Sequence, residues 1–307
     1  MSGAQATPRP GEWRHRLTLL VLVVCGVAMA GYLAWSGHGY YSLPLPERPF
    51  HPMHARLRPS GEIGIRLGLL SALVFAGIYM YPLRKRWRWL QKFGATRRWL
   101  DVHIVLGLVV PLLVTVHASF KLHGLIGMAY WIMMAIVASG VAGRYLYAQI
   151  PRSVTAAELS RAELAERGEK LAEQLRRQQV FTEEELAGVT ALPAGQEVEA
   201  MPLWRVLLAM ISADLRRPFR VAALRRRVIA PEERLRTLGG LLPSRHAELE
   251  TILSSVSAKA WLTAKILFLK RAAEIFHLWH VVHKPFSYSF AVIVAAHIIL
   301  VALMGYL

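Results

Sequence analysis

Four histidines lie in otherwise apolar stretches of this 307-residue chain. His103 and His117 fall in DVHIVLGLVVPLLVTVHASF, and His283 and His297 in HKPFSYSFAVIVAAHIILVALMGYL. Within each pair the separation is fourteen residues. At 100° per residue, fourteen steps return to within about 40° of the starting direction, so each pair lies along one face of a helix, spread over roughly 21 Å of its axis. Two such helices, parallel and side by side, set two imidazole pairs against each other, one near each end. Bis-imidazole haem sites need this arrangement. The spacing therefore predicts two haem b groups, with His103/His283 and His117/His297 as axial ligands of the iron. An ionisable residue inside an apolar span is costly and usually functional. Hydrogen-bonded packing accounts for one such histidine more easily than for two equally spaced pairs.

The elements that must position these residues are apolar helices. The chain is 54% hydrophobic with a mean hydropathy of +0.34. Five stretches reach the roughly 20 apolar residues needed to cross a bilayer core: 17–35, 64–83, 102–120, 124–150 and 285–307. Arg144 lies inside the fourth, so its effective span is expected to stop near Gly143. The expected fold is all-α, a five-span transmembrane helix bundle with a helical cytoplasmic insert between spans four and five. Its parts are a tail (1–16), spans one to four (17–150), the insert (151–256), an interfacial amphipathic helix (257–284) and span five (285–307).

The net charge of +17 invites a nucleic-acid reading, but its distribution follows membrane topology instead. The loop after span two holds Arg84, Lys85, Arg86, Arg88, Lys92, Arg97 and Arg98 with no acid before Asp101. Positive loops stay inside. That puts the N-terminus and the basic insert on the cytoplasmic side by parity, and the 36–63 loop and the C-terminus outside. A bacterial cytoplasmic (inner) membrane is the expected location, with membrane lipid as a partner and no nucleic acid. The lone Cys25 excludes an intrachain disulfide, a Cys-x-x-Cys-His haem attachment and a cysteine-ligated iron–sulfur cluster. Ala28-Met29-Ala30 mimics a signal-peptidase site, but the first span reads as a retained anchor.

Along the chain, His38, His51 and His54 in the external loop read as solvated. Gly64, Gly68 and Gly77 in span two suit close helix packing, or room for a porphyrin face. Gly107 could make room for a ring beside His103, and Pro111 should kink span three between its histidines. Tyr145 and Tyr147 read as interfacial anchors. Thr155/Glu158 and Thr182/Glu185 are capping boxes, and Leu164, Leu171 and Leu175 recur with helical spacing. After a Pro/Gly loop at 191–203, a helix is expected over 203–216, followed by a basic tract to Arg227. Pro231 and Gly239-Gly240 bracket a short helix. One long helix then starts at Ala247, and Pro285 is expected to bend or restart it. Neither a Gly-x-Gly-x-x-Gly turn nor a P-loop is present, so no nucleotide site is legible.

His277, His280 and His283 are three residues apart, and any of them could serve the inner site. Spacing favours His283, and a distortion at Pro285 would transfer the role to His280. Arg97, Arg98, Arg271 and Lys284 are the expected partners of haem propionates at that end.

Paired histidines fourteen apart on two parallel helices resemble the haem-binding core of cytochrome b in quinol–cytochrome c oxidoreductases. They are also similar to the membrane domain of ferric reductases and NADPH oxidases, in which helices three and five carry the ligands. The resemblance covers about 97–120 and 277–307. It implies an electron-transfer subunit of a membrane oxidoreductase complex, with other redox subunits as partners and quinone as a possible one. The reductase group differs from this sequence. That group has an additional span and lacks a helical insert of this size, and a flavin and nicotinamide module follows its last span where this sequence ends at Leu307. The rival expectation is a haem-free histidine-containing transporter or membrane assembly subunit. It predicts carboxylates near mid-membrane, and no Asp or Glu lies inside the five spans.

Overall fold

A computed structural model describes residues 10–150, 166, 168–173 and 180–306. Every regular element among the described residues is helical. Five helices are long and apolar enough to cross a membrane: Glu12–Ser36, His54–Arg86, Thr96–His117, Gly127–Gln149 and Ala247–Leu303. Their outward faces carry large apolar side chains, among them Val24, Leu73, Leu108, Trp131, Val292 and Leu303. In water such faces would be a liability, whereas in lipid they are in their own solvent. The chain divides into two compact units, Met1–Ala142 with Val282–Leu307, and Gly143–Val281.

The first unit contains α1 (Pro10–Ser36), short helices α2 (His38–Tyr41) and α3 (His54–Leu57), then α4 (Glu62–Ile78), α5 (Met80–Arg86) and α6 (Thr96–His117). It also holds most of α7 (Gly124–Gln149) and the end of α12 (Ala247–Leu303). Helix α6 packs along α4 and α1. Ala30, Leu67, Val109, Leu113 and Val116 form the buried layer between these three. Lipid offers no hydrophobic drive for helices to associate, so close backbone approach must supply the attraction. Gly26 provides it: a side chain there would begin 2.6 Å from Val109 Cγ1. A second buried layer joins Val110 of α6, Met133 of α7 and Phe290 of α12, with Phe75 edge-on to Phe290 at 5.7 Å.

The 36–63 segment is a packed cap rather than the solvated loop expected from its composition. Arg48 is 6% exposed, and its guanidinium donates to the carbonyls of Leu43 (3.0 Å), Tyr41 (2.7 Å) and Ser119 (2.6 Å). Ser119, in the left-handed region at φ 50° just past the end of α6, is held again by donating to Leu57 O at 2.7 Å. Tyr40 is fully buried, and its hydroxyl lies 3.1 Å from His54 Nδ1 while the His51 ring packs 5.7 Å away. Burial holds the Tyr40 hydroxyl above the usual phenol range. His51 and His54 are therefore packing residues, recruited by a buried aromatic that single-residue reading misses; His38 is exposed.

The second unit contains α8 (Glu183–Thr190), α9 (Gly195–Ala200), α10 (Leu203–Val228), α11 (Pro231–Arg236) and the first part of α12. Phe181, Val189, Leu224, Leu253 and Val256 share one core, and Leu146, Val198, Val206, Met210 and Phe268 another. The capping box Thr182/Glu185 is present in both directions. The other box, Thr155/Glu158, lies outside the described residues together with Leu164 and Leu175.

Several local expectations are corrected. Helix α10 does not stop at Arg216 but runs through Pro218 to Val228, its buried stripe continuing with Val221 and Leu224. Packing on that stripe outweighs the one backbone donor that proline removes. Helix α12 likewise runs unbroken through Pro285 for 57 residues. Tyr145 does not sit as a free anchor: its hydroxyl donates to Asp214 at 2.7 Å. The 191–203 loop contains α9.

Candidate functional site

All four predicted histidines lie in the first unit, two on α6 and two on α12. His103 Nδ1 is 2.9 Å from Ile78 O, and His117 Nδ1 is 2.8 Å from Gly64 O. A carbonyl oxygen has no proton to give, so Nδ1 is the donor in both rings. The neutral imidazole then keeps its lone pair on Nε2. A backbone carbonyl fixing one ring nitrogen so that the other is left basic is the usual support of a metal-ligating histidine.

The two acceptor carbonyls are exposed by different local devices. Inside a helix, the carbonyl of residue i is engaged by the N–H of residue i+4 and screened by its side chain. Ile78 O would meet residue 82, which is Pro82 and has no N–H. That carbonyl, at the last residue of α4, is therefore open to His103. Gly64 O is screened only by Gly68. A Cβ there would stand 2.7 Å from Cε1 and 2.9 Å from Nδ1 of the His117 ring, so only glycine lets the ring reach the carbonyl. Ile78 and Gly64 are themselves fourteen residues apart, on a helix antiparallel to α6, which is why both bonds form at once.

The α12 histidines stand at matching levels. Tyr79, next to Ile78, donates to Ser287 O at 2.7 Å, and Ser287 Oγ donates to His283 O at 2.7 Å. His283 Nδ1 lies 3.1 Å from Ser139 Oγ, and Gly140 brings α7 against the same ring. At the other level, His297 stands within electrostatic reach of His117 and is exposed. Between the levels, the Val110–Met133–Phe290 layer closes the space. Gly107, one turn past His103, faces open space.

His280 belongs to the second unit, edge-on to Phe276 at 4.5 Å and Trp279 at 4.7 Å, and His277 is exposed. Of the expected cations, Arg97 and Arg98 are exposed in the first turn of α6, at the His103 end, and Lys284 is exposed on α12. Arg271 is engaged within the second unit, with Glu274 and with Met201 O. Sequence reasoning missed another cation beside His103. Tyr81 packs 5.4 Å from the His103 ring, and Lys85 Nζ lies 4.4 Å over Tyr81. The i,i+4 spacing of Tyr81 and Lys85 on a helix was the available signal. It also missed His15 on α1, whose Nε2 lies 3.2 Å from Asp101.

Among the described residues, no group of three or more His, Cys, Asp or Glu could hold a bare metal ion. No family model matches the chain, and neither a curated protein nor a solved structure matches it. What the site can do rests on its own chemistry. Histidines on two helices, two of them with Nε2 left basic, suit a ligand that takes one imidazole from each side.

Proposed function

We propose that this chain is a b-type cytochrome that carries electrons across a bacterial cytoplasmic membrane through two haems, ligated by His103/His283 and His117/His297. The observation that carries the reading is the pair of Nδ1–carbonyl bonds on His103 and His117, which leave both Nε2 atoms basic. Packing alone would satisfy each ring, but it gives no reason for two rings fourteen residues apart to be held in one tautomer by carbonyls fourteen residues apart. Bis-imidazole haem supplies reversible one-electron chemistry without an open coordination position. The protein's part is to orient the rings, exclude water from the spans, and neutralise propionates with Lys85, Arg97 and Arg98 at the inner end. The Val110–Met133–Phe290 layer keeps the two sites apart. Electrons are exchanged with quinol or with partner redox subunits, the chain having no nucleotide motif through which to take hydride.

Purified protein from haem-replete cells tests this directly. Dithionite reduction should give the sharp α-band of low-spin b-haem, with two haems per chain by pyridine haemochrome. Acid acetone should extract all of it, since no Cys-x-x-Cys-His attachment exists. A colourless preparation overturns the reading and leaves a histidine-containing transporter or scaffold.

A further inference from the structure

One helix of the second unit exposes a face that neither of its cores uses. Trp204, Leu208, Leu215 and Phe219 of α10 are each between 57% and 63% exposed. Their spacing of 4, 7 and 4 residues keeps all four within about 60° of one direction on a 3.6-residue helix. The core face of the same helix, with Val206, Met210, Val221 and Leu224, points elsewhere. Arg205 and Arg216, both exposed, border the stripe on one side, and exposed Arg226 continues its line beyond Phe219. Arg205 also lies over the Trp204 ring at 5.1 Å. At its C-terminal end the stripe is extended by the turn carrying exposed Leu238, Leu241 and Leu242, which packs on α10 through Gly240 against Ala222 and Arg226.

We infer that this face of α10 docks the second unit on the anionic headgroup surface of the chain's own membrane. The occupant follows from charge and connectivity. A narrow apolar stripe bordered by arginines is the composition of a helix lying in a headgroup interface, its rings among the upper acyl chains and its guanidiniums on phosphates. The second unit is entered from α7 and left through α12, two of the five helices able to span a membrane, so both its ends are tethered at the bilayer. A tethered face meets lipid at high effective concentration. This inference does not depend on the haem reading.

The single natural cysteine makes the test clean. Full-length Cys25→Ser protein carrying Leu215→Cys, labelled with bimane, is placed in nanodiscs containing phosphatidylglycerol. A second Cys25→Ser variant carries the label through Glu248→Cys, at an exposed position on α12. The Leu215 label should be quenched by shallow nitroxide lipids and shielded from acrylamide, while the Glu248 label stays open to acrylamide. High salt, or Arg216→Gln with Arg226→Gln, should release much of the lipid quenching. Equal acrylamide access at both positions overturns the inference. So does equal lipid quenching in purely zwitterionic discs, or shielding without lipid quenching, which would mean a protein occupant.

Discussion

Val110 and Phe290 lie in one buried apolar cluster, each seven residues from the two histidines of its own helix. Because both midpoints fall in the same layer, α6 and α12 are in register with the histidine pairs. His103 stands at the level of His283, and His117 at the level of His297. The layer also fills the centre with hydrocarbon, so any ligand of these rings belongs above or below it.

Phe290→Ala should loosen this layer without removing a ligand. The cost should be roughly 1–3 kcal/mol, below the 3–5 typical of a water-soluble core, because lipid is the alternative solvent. Thermal unfolding in detergent should report a lowered midpoint, with two haems per chain retained. Loss of haem would show instead that the layer positions the ligands.

His283→Ala should remove one haem and leave the other, while His280→Ala retains both. The structure gives the reason for the asymmetry: His280 is packed edge-on between Phe276 and Trp279. Haem stoichiometry of the two variants decides it, and loss of haem from His280→Ala alone would reverse the assignment.

Gly68→Ala should act on the His117 site only. The added methyl would stand 2.7 Å from the His117 ring and push it off Gly64 O. Redox titration should show one haem component shifted or lost and the other unchanged. Gly31→Ala, with open space around it, is the matched control and should change neither.

Arg48→Met should detach the 36–63 cap from the end of α6. Three carbonyls lose their buried donor, and the cost should be about 2–5 kcal/mol. Limited proteolysis should open new cleavage sites within 37–63, with cleavage unchanged in the second unit.

Acid should weaken the start of α8. The Thr182 backbone N–H, and then Arg227, hold the Glu185 carboxyl below the usual carboxylate range. A group with a depressed folded pKa contributes stability above its unfolded value, and that contribution fades as pH falls through the folded one. Amide exchange at 183–186, corrected for intrinsic rate, should therefore lose protection as pH drops below the ordinary glutamate range. Glu185→Gln should flatten that dependence.

The sequence by itself determined the five apolar helices, the two histidine pairs and the reason to treat them together. Hydrophobic length and helical periodicity are local properties of the chain, and the fourteen-residue spacing is one of them. Pro82 and Gly68 were also in plain view, but their meaning was not. That a missing N–H at one and a missing side chain at the other open two carbonyls to two imidazoles depends on which helix lies beside α4, and only tertiary packing decides that. The same holds for the cap, where Arg48 satisfies carbonyls up to 71 residues away and turns a polar, proline-rich loop into a buried network. Pro285 misled for the converse reason: its local penalty was weighed without the packing of the helix that carries it. Arg271 was assigned by nearness in sequence to His283, yet its hydrogen bonds run to Glu274 and Met201. Periodicity is written along the chain, whereas the partner of a polar group is chosen by whatever the fold brings within 3 Å of it.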